Sequence, residues 1–132
     1  MIPYARGRER SKRIDYIKNE LEQLSNVGYK EIVFTGINLS SYGKEYGINL
    51  CDAIETASSI SGIERIRLSS VEPDFLSDEI IIRMSQYKRL CNHFHVCLQS
   101  GCDSVLRRMN RHYDTDVYRN VINKLRQNFN NC

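Results

Sequence analysis

The sequence lacks the long apolar run that a membrane-spanning helix requires. No stretch approaches the ~20 apolar residues that cross a bilayer, and hydrophobic residues make up only 41% of the 132-residue chain. A secretory signal is absent as well, because the opening segment is basic and is interrupted by Pro3 and Gly7. We therefore expect a single domain, located in the cytoplasm and making no contact with a membrane.

The cysteines lack the spacing of a local metal site or a disulfide framework. They are Cys51, Cys91, Cys97, Cys102 and Cys132, an odd number with no C-x-x-C pair. Cys97 lies in a predicted strand, where a small apolar side chain suits a buried position. The residues themselves therefore predict no metal ligand.

Positive charge is small in total but unevenly distributed. The net charge is +3, yet Arg6 and Arg8 belong to a basic amino-terminal segment, and Arg107, Arg108 and Arg111 follow the last predicted strand. Clusters of this kind bind phosphate backbones, although each also fits a solvated helix face. We predict these arginines as nucleic-acid contacts.

Strands alternate with helices along the chain, without a linker or low-complexity segment. Period-two patterns predict strands at about 31–35, 65–69 and 93–98, and apolar stripes predict the helices around them. Ser11 and Thr115 are the predicted N-caps of the first and last helices. Strands that recur about every thirty residues have the spacing of βα units, so we expect parallel pairing.

The predicted fold class is α/β. We expect a partial TIM-like (βα) barrel, with three parallel strands flanked by helices. Such a small sheet has open edges, which favour self-association of the chain.

Small and polar residues follow each predicted strand. They are Thr35, Gly36 and Asn38 after the first, Ser70 and Glu72 after the second, and Gln99 and Ser100 after the third. Parallel strands present ligand-binding groups at their carboxyl ends, so we predict one shared binding rim. The alternatives are a βα-turn cap for Asn38, helix initiation for Glu72 and a solvated turn for Gln99.

Four segments together resemble the central domain of the methylthiotransferases, a family of radical S-adenosylmethionine enzymes. They are IPYARGR at 2–8, GYKEIVFTGINLSSYG at 28–43, RIRLSSVEP at 65–73 and HFHVCLQSGCDSVLRRMNRHY at 93–113. The resemblance covers essentially the whole chain, in order. GINLSSYG and the HFH, LQSG and RMNR segments are most similar to the branch that acts on threonylcarbamoyladenosine in tRNA.

The resemblance implies an enzyme that installs a 2-methylthio group on an adenosine next to the anticodon of tRNA. The implied cofactors of the parent enzyme are S-adenosylmethionine and 4Fe-4S clusters, one of them held by a C-x-x-x-C-x-x-C loop. The implied cofactor contacts are the rim residues: Thr35, Gly36 and Asn38 at the methionine end, with Ser70, Glu72, Gln99 and Ser100 at the ribose or adenine.

The chain departs from the family pattern at its two ends. The cluster loop would lie directly before Ile2, and further strands would follow Cys132. We therefore expect residues 1–132 to form a partial radical SAM core domain that holds no cluster, binds no cofactor by itself and is inactive alone. A second class stays open, a non-catalytic α/β nucleotide- or RNA-binding module on the same scaffold.

Overall fold

The computed structural model describes Tyr4, Gly7 and residues 9–132. The helices are α1 (Ile14–Val27), α2 (Leu50–Ser59), α3 (Asp78–Ser85), α4 (Asp103–Arg108) and α5 (Thr115–Asn128). The strands are β1 (Glu31–Phe34), β2 (Arg65–Leu68), β3 (Ser70–Val71) and β4 (His95–Val96). Short 3-10 turns occupy Leu39–Ser41, Lys44–Tyr46 and Pro73–Phe75.

The strands pair in parallel, which confirms the α/β class. β1 pairs with β2 along four residues, and β3 pairs with β4 along two. A parallel bridge between Ile66 and Leu90 brings the third extended segment beside β2. In place of the predicted three-strand arc, the described residues form two parallel sheets of two strands each, because the second strand is split at Ser69 and the third is reduced to the two residues of β4.

The split at Ser69 changes which side chains of the second strand are buried. Ile66 and Leu68 lie in the core, and the next buried residue is Val71 rather than Ser70. Strict alternation of side chains would have placed Ser70 in the core. The irregularity instead directs Ser70 toward His95, whose Nδ1 lies 3.0 Å from the serine Oγ.

The helices cover one face of the strands, and the core lies between them. Ile54 of α2, Ile63 and Ile66 are fully buried, and α1 and α3 both contact α2. Each such side chain contributes roughly 2 kcal/mol by leaving water. The opposite face is more open, since Val33 of β1 is 51% exposed.

Two predicted helix caps are wrong, although the helices themselves are confirmed. α1 begins at Ile14 after Arg13, which makes no side-chain cap, and Ser11 lies two residues before that cap position and binds Glu45. The last helix is capped by Asp114, whose carboxylate accepts a hydrogen bond of 2.8 Å from the Val117 amide. The predicted end of α1 is confirmed, since Gly28 adopts φ 101° there.

Within the part of the chain that the structure describes, no helix combines the length and the apolar character needed to span a bilayer.

The free edge of β1 leads to a prediction of self-association. Within residues 9–132, β1 pairs with β2 alone, and unpaired strand edges invite pairing with another chain. We expect the isolated chain to form dimers or larger species in sedimentation velocity, and Val33→Lys, a charge on this exposed strand, to shift it toward monomer. A wild-type chain that stays monomeric as its concentration rises would contradict this prediction.

Candidate binding site

A cavity of about 530 Å³ lies at the carboxyl end of β1. Its walls include Thr35, Gly36 and Asn38, together with Arg10 and Lys12 from the preceding segment. A volume of this size lies within the range of small-molecule sites. Three of the predicted rim residues therefore line one concave surface.

Asn38 is held in place but keeps hydrogen-bonding capacity. Its Nδ2 donates to Ser41 Oγ at 2.8 Å and lies 3.5 Å from Glu9 Oε1. Although Asn38 precedes the turn at Leu39–Ser41, its side chain makes no capping hydrogen bond to that turn's backbone. The Asn38 side chain therefore does not act as the βα-turn cap.

Gly36 lies close to Leu39 on the wall of this cavity. A Cβ at this position would stand 3.3 Å from Leu39 Cδ2, which is tighter than ordinary van der Waals contact. A larger residue here would therefore require the Leu39 side chain to shift.

One wall of this cavity depends on a clasp between Ser11 and Glu45. The Ser11 amide donates to Glu45 Oε1 at 2.6 Å, and its hydroxyl donates to Oε2 at 2.9 Å. The Gly43 amide donates in turn to Ser11 Oγ at 2.9 Å. The Ser11 amide hydrogen bond is the main cause that lowers the pKa of Glu45.

A second cavity, of about 240 Å³, adjoins the first through Asn38. Glu72, Asp74 and the turn after α4 line the rest of it. Asn38 and Glu72, which follow different strands, are thus brought together as the sequence predicts. Gln99 is not among the residues that line either of these two cavities.

Glu72 is fixed from two directions. Its backbone amide donates to Ser40 Oγ at 2.9 Å, and its carboxylate Oε1 lies 3.0 Å from Arg111 Nη1. Both side chains of this ion pair are largely shielded, with 24% of Glu72 and 29% of Arg111 exposed. The pairing involves one carboxylate oxygen, which leaves Oε2 to accept further hydrogen bonds.

The surroundings of this ion pair suppress ionisation of its neighbours. Burial, and then the charge of Glu72, raise the pKa of Tyr113 to about 12. The same two causes raise the pKa of the Cys97 thiol, although a hydrogen bond from Ser70 partly offsets them. Tyr113 and Cys97 are therefore neutral at physiological pH.

Gln99 and Ser100 form a tight turn at the end of β4. Gln99 is exposed with φ 64°, a left-handed conformation that costs a residue with a side chain about 1 kcal/mol or more. Ser100 Oγ accepts a hydrogen bond of 3.2 Å from the Cys102 amide. Ser100 thus has a local turn role, and the strain at Gln99 is the feature that a solvated turn does not explain.

The predicted arginine contacts fall into three situations. Arg6 and Arg8 lie outside the described residues. Arg107 and Arg108 are exposed in the last turn of α4. Arg111 differs, because its guanidinium already binds Glu72, so its predicted contact with a phosphate competes with an internal partner.

The described cysteines do not form a ligand set for an iron–sulfur cluster. No group of three His, Cys, Asp or Glu side chains within the described residues is placed to hold a metal, and Cys51 is buried, which raises its pKa to about 11. The described residues therefore do not fit an iron–sulfur cluster.

Comparison with known proteins identifies the family. The profile of the Radical SAM superfamily matches residues 1–132, and the chain belongs to this superfamily. It is 41% identical over 128 residues to a tRNA-2-methylthio-N(6)-dimethylallyladenosine synthase of Syntrophomonas wolfei, covering 96% of this chain and 29% of that protein.

Two further relatives carry the same name. The protein of Caldicellulosiruptor saccharolyticus is 43% identical over 130 residues, covering 97% of this chain and 28% of that protein. The protein of Clostridium tetani is 38% identical over 133 residues, covering 99% and 29%. These relatives confirm the resemblance to the methylthiotransferases, and the chain spans less than a third of their length.

The names of these relatives specify dimethylallyladenosine. The threonylcarbamoyladenosine branch predicted from the sequence is not the one that these names print. The comparisons therefore confirm the family and not the predicted adenosine derivative.

The Ser11–Glu45 clasp predicts a pH-dependent opening of the cavity wall. The lowered pKa of Glu45 means that the clasp is complete above the pKa of an unfolded glutamate and is lost as pH falls through the lower folded value. We expect the Ser11 amide proton, followed by NMR, to move upfield over that acidic range. Glu45→Gln should abolish the transition. If the Ser11 amide resonance of the wild type instead titrates with the ordinary pKa of an exposed glutamate, the clasp is contradicted.

Proposed function

We propose that residues 1–132 form part of the radical SAM core domain of a cytoplasmic tRNA methylthiotransferase. The observation that carries the proposal is the meeting of Thr35, Gly36 and Asn38 with Glu72 around two adjoining cavities at the carboxyl ends of neighbouring strands. The relatives supply the reaction class, since their names describe 2-methylthio-adenosine synthases acting on tRNA.

The first cavity suits the methionine end of S-adenosylmethionine. Gly36 lets the ligand reach the backbone, while the Thr35 hydroxyl and the Asn38 amide meet its carboxylate and ammonium. When bound beside a cluster, S-adenosylmethionine supplies the radical chemistry of the family. The residues of this chain bind it and orient it.

The second cavity suits the ribose. Glu72 Oε2 is available to accept a ribose hydroxyl, as carboxylates do in dinucleotide sites. Ser70 lies beside it on the same stretch, with its hydroxyl engaged by His95. Gln99 and Ser100 follow β4 and are assigned to the far side of the nucleoside, where the adenine would lie.

The exposed arginines are assigned to the tRNA. Arg107 and Arg108 project from the last turn of α4, where they are free of the ion pair that engages Arg111. Arg6 and Arg8 are assigned with them by charge alone. Contacts of this kind bind the phosphate backbone without reading sequence.

Two adenosine derivatives are candidate substrates. The GINLSSYG and LQSG–RMNR segments favour threonylcarbamoyladenosine, and we propose it as the substrate. The names of the relatives, at 38–43% identity, favour dimethylallyladenosine. The two derivatives carry different groups on N6, so analysis of the modified nucleosides in tRNA distinguishes them.

Deleting the gene that encodes this chain tests both the reaction and the substrate. We expect mass spectrometry of tRNA nucleosides to show loss of the 2-methylthio derivative of threonylcarbamoyladenosine, with its unmodified precursor accumulating. Loss of the dimethylallyl derivative instead would transfer the assignment to that substrate. If both 2-methylthio nucleosides persist, the proposed reaction is wrong.

Replacing Asn38 tests the methionine end of the site. Asn38→Ala removes hydrogen bonds to a charged ligand, so we expect the Kd for S-adenosylmethionine to rise roughly tenfold in the full-length protein. Asn123→Ala, on the exposed surface of α5, serves as the control. Equal affinities for both variants, measured by anaerobic titration calorimetry, would remove Asn38 from the site.

A further inference from the structure

We propose that the turn after α4, residues 109–113, is a strap that positions two strand ends at once. In this strap Arg111 orients the carboxylate of Glu72, and Tyr113 fixes the end of β4 just before Gln99. The inference rests on the proposed S-adenosylmethionine site and assigns it two positioning residues.

The strap is anchored to α4 by a complete helix-ending motif. The Asn110 amide donates to the Arg107 carbonyl, and the Arg111 amide donates to the Leu106 carbonyl, both at 3.0 Å. Asn110 takes the left-handed conformation that this motif requires, with φ 55°. Because Leu106 is buried, the strap begins from a fixed point in the core.

Arg111 holds one oxygen of Glu72 and leaves the other open. Its Nη1 lies 3.0 Å from Oε1, while the Ser40 hydroxyl holds the Glu72 backbone from the β1 side. Together these contacts restrict Glu72, which lines the second cavity, and leave Oε2 outside the contact with Arg111. A carboxylate held in this way binds a ribose hydroxyl without first losing rotamer freedom.

The placement of Arg111 is not the one that stability alone would favour. Its Nε is buried and makes no hydrogen bond to any described residue. A buried donor without a partner is costly, and such groups in native proteins call for a functional explanation. A single-sided contact that leaves Oε2 open, in place of a two-pronged arginine–carboxylate pair, fits a role in ligand binding.

Tyr113 acts on the neighbouring strand. Its hydroxyl lies 2.9 Å from the Cys97 carbonyl and 3.4 Å from the Leu98 carbonyl, and its side chain is buried. These carbonyls directly precede Gln99, whose left-handed conformation is strained. These hydrogen bonds therefore fix the backbone directly before Gln99.

Binding of S-adenosylhomocysteine and its 2′-deoxy analogue to the full-length, cluster-containing protein tests this inference. Neither probe is consumed, so anaerobic calorimetry reports affinity alone. We expect the wild type to prefer S-adenosylhomocysteine, because the 2′-hydroxyl binds Glu72. Arg111→Gln should weaken S-adenosylhomocysteine roughly tenfold and the 2′-deoxy analogue much less, which lowers the preference between them. Tyr113→Phe should weaken both probes several-fold.

Matched variants separate positioning from a general loss of structure. Arg119→Gln breaks an arginine–carboxylate pair with Asp116 on the exposed surface of α5, and Tyr118→Phe removes a hydroxyl that donates to the Val96 carbonyl at 3.2 Å. Arg119→Gln should leave the preference between the probes unchanged, and Tyr118→Phe should leave both affinities unchanged. Arg111→Lys keeps the charge without the planar donors, so it should restore part of the preference.

The outcomes distinguish this inference from the proposed function. An unchanged preference in Arg111→Gln, or in Arg111→Lys if the glutamine variant fails to fold, overturns the role of Arg111. Unchanged affinities in Tyr113→Phe overturn the role of Tyr113. A wild-type protein that binds neither probe overturns the proposed cofactor site together with the strap.

Discussion

Parallel pairing of short strands is the constraint on which the rest of the structure depends. Because β1 pairs with β2 and β3 with β4 in the same direction, the segments that follow them open at one edge of the sheet. Asn38 and Glu72 are far apart in sequence and meet only for this reason. The apolar side chains of Ile32, Ile66 and Leu68 hold that pairing by packing under the helices.

The break at Ser69 changes which side chains the second strand buries. A regular strand would have carried the alternation of buried side chains through to its end, and Ser70 would have been lost to the core. Breaking the alternation returns Val71 to the core and frees Ser70 to meet His95. The short, interrupted strands therefore reflect a compromise between packing on one face and polar groups on the other.

The polar groups at this edge are held by contacts that link distant parts of the chain. Ser11 is tied to Glu45, Glu72 to Ser40 and Arg111, and Tyr113 to the end of β4. Most of these partners are themselves in loops, whose positions are set by the elements that flank them. These contacts restrain loops at the candidate site, where loops are usually variable.

The sequence by itself determined the α/β class, the helices and the family, because apolar periodicity and motif spacing are local properties of the chain. It also placed Thr35, Gly36, Asn38 and Glu72 near strand ends. Only the tertiary structure decided which side chains pair. The Ser11–Glu45 and Glu72–Arg111 contacts join residues 34 and 39 positions apart, so no local pattern announces them. The two wrong caps have different origins: the first helix begins two residues later than a cap at Ser11 requires, and Asp114, next to Thr115 in sequence, caps the last helix.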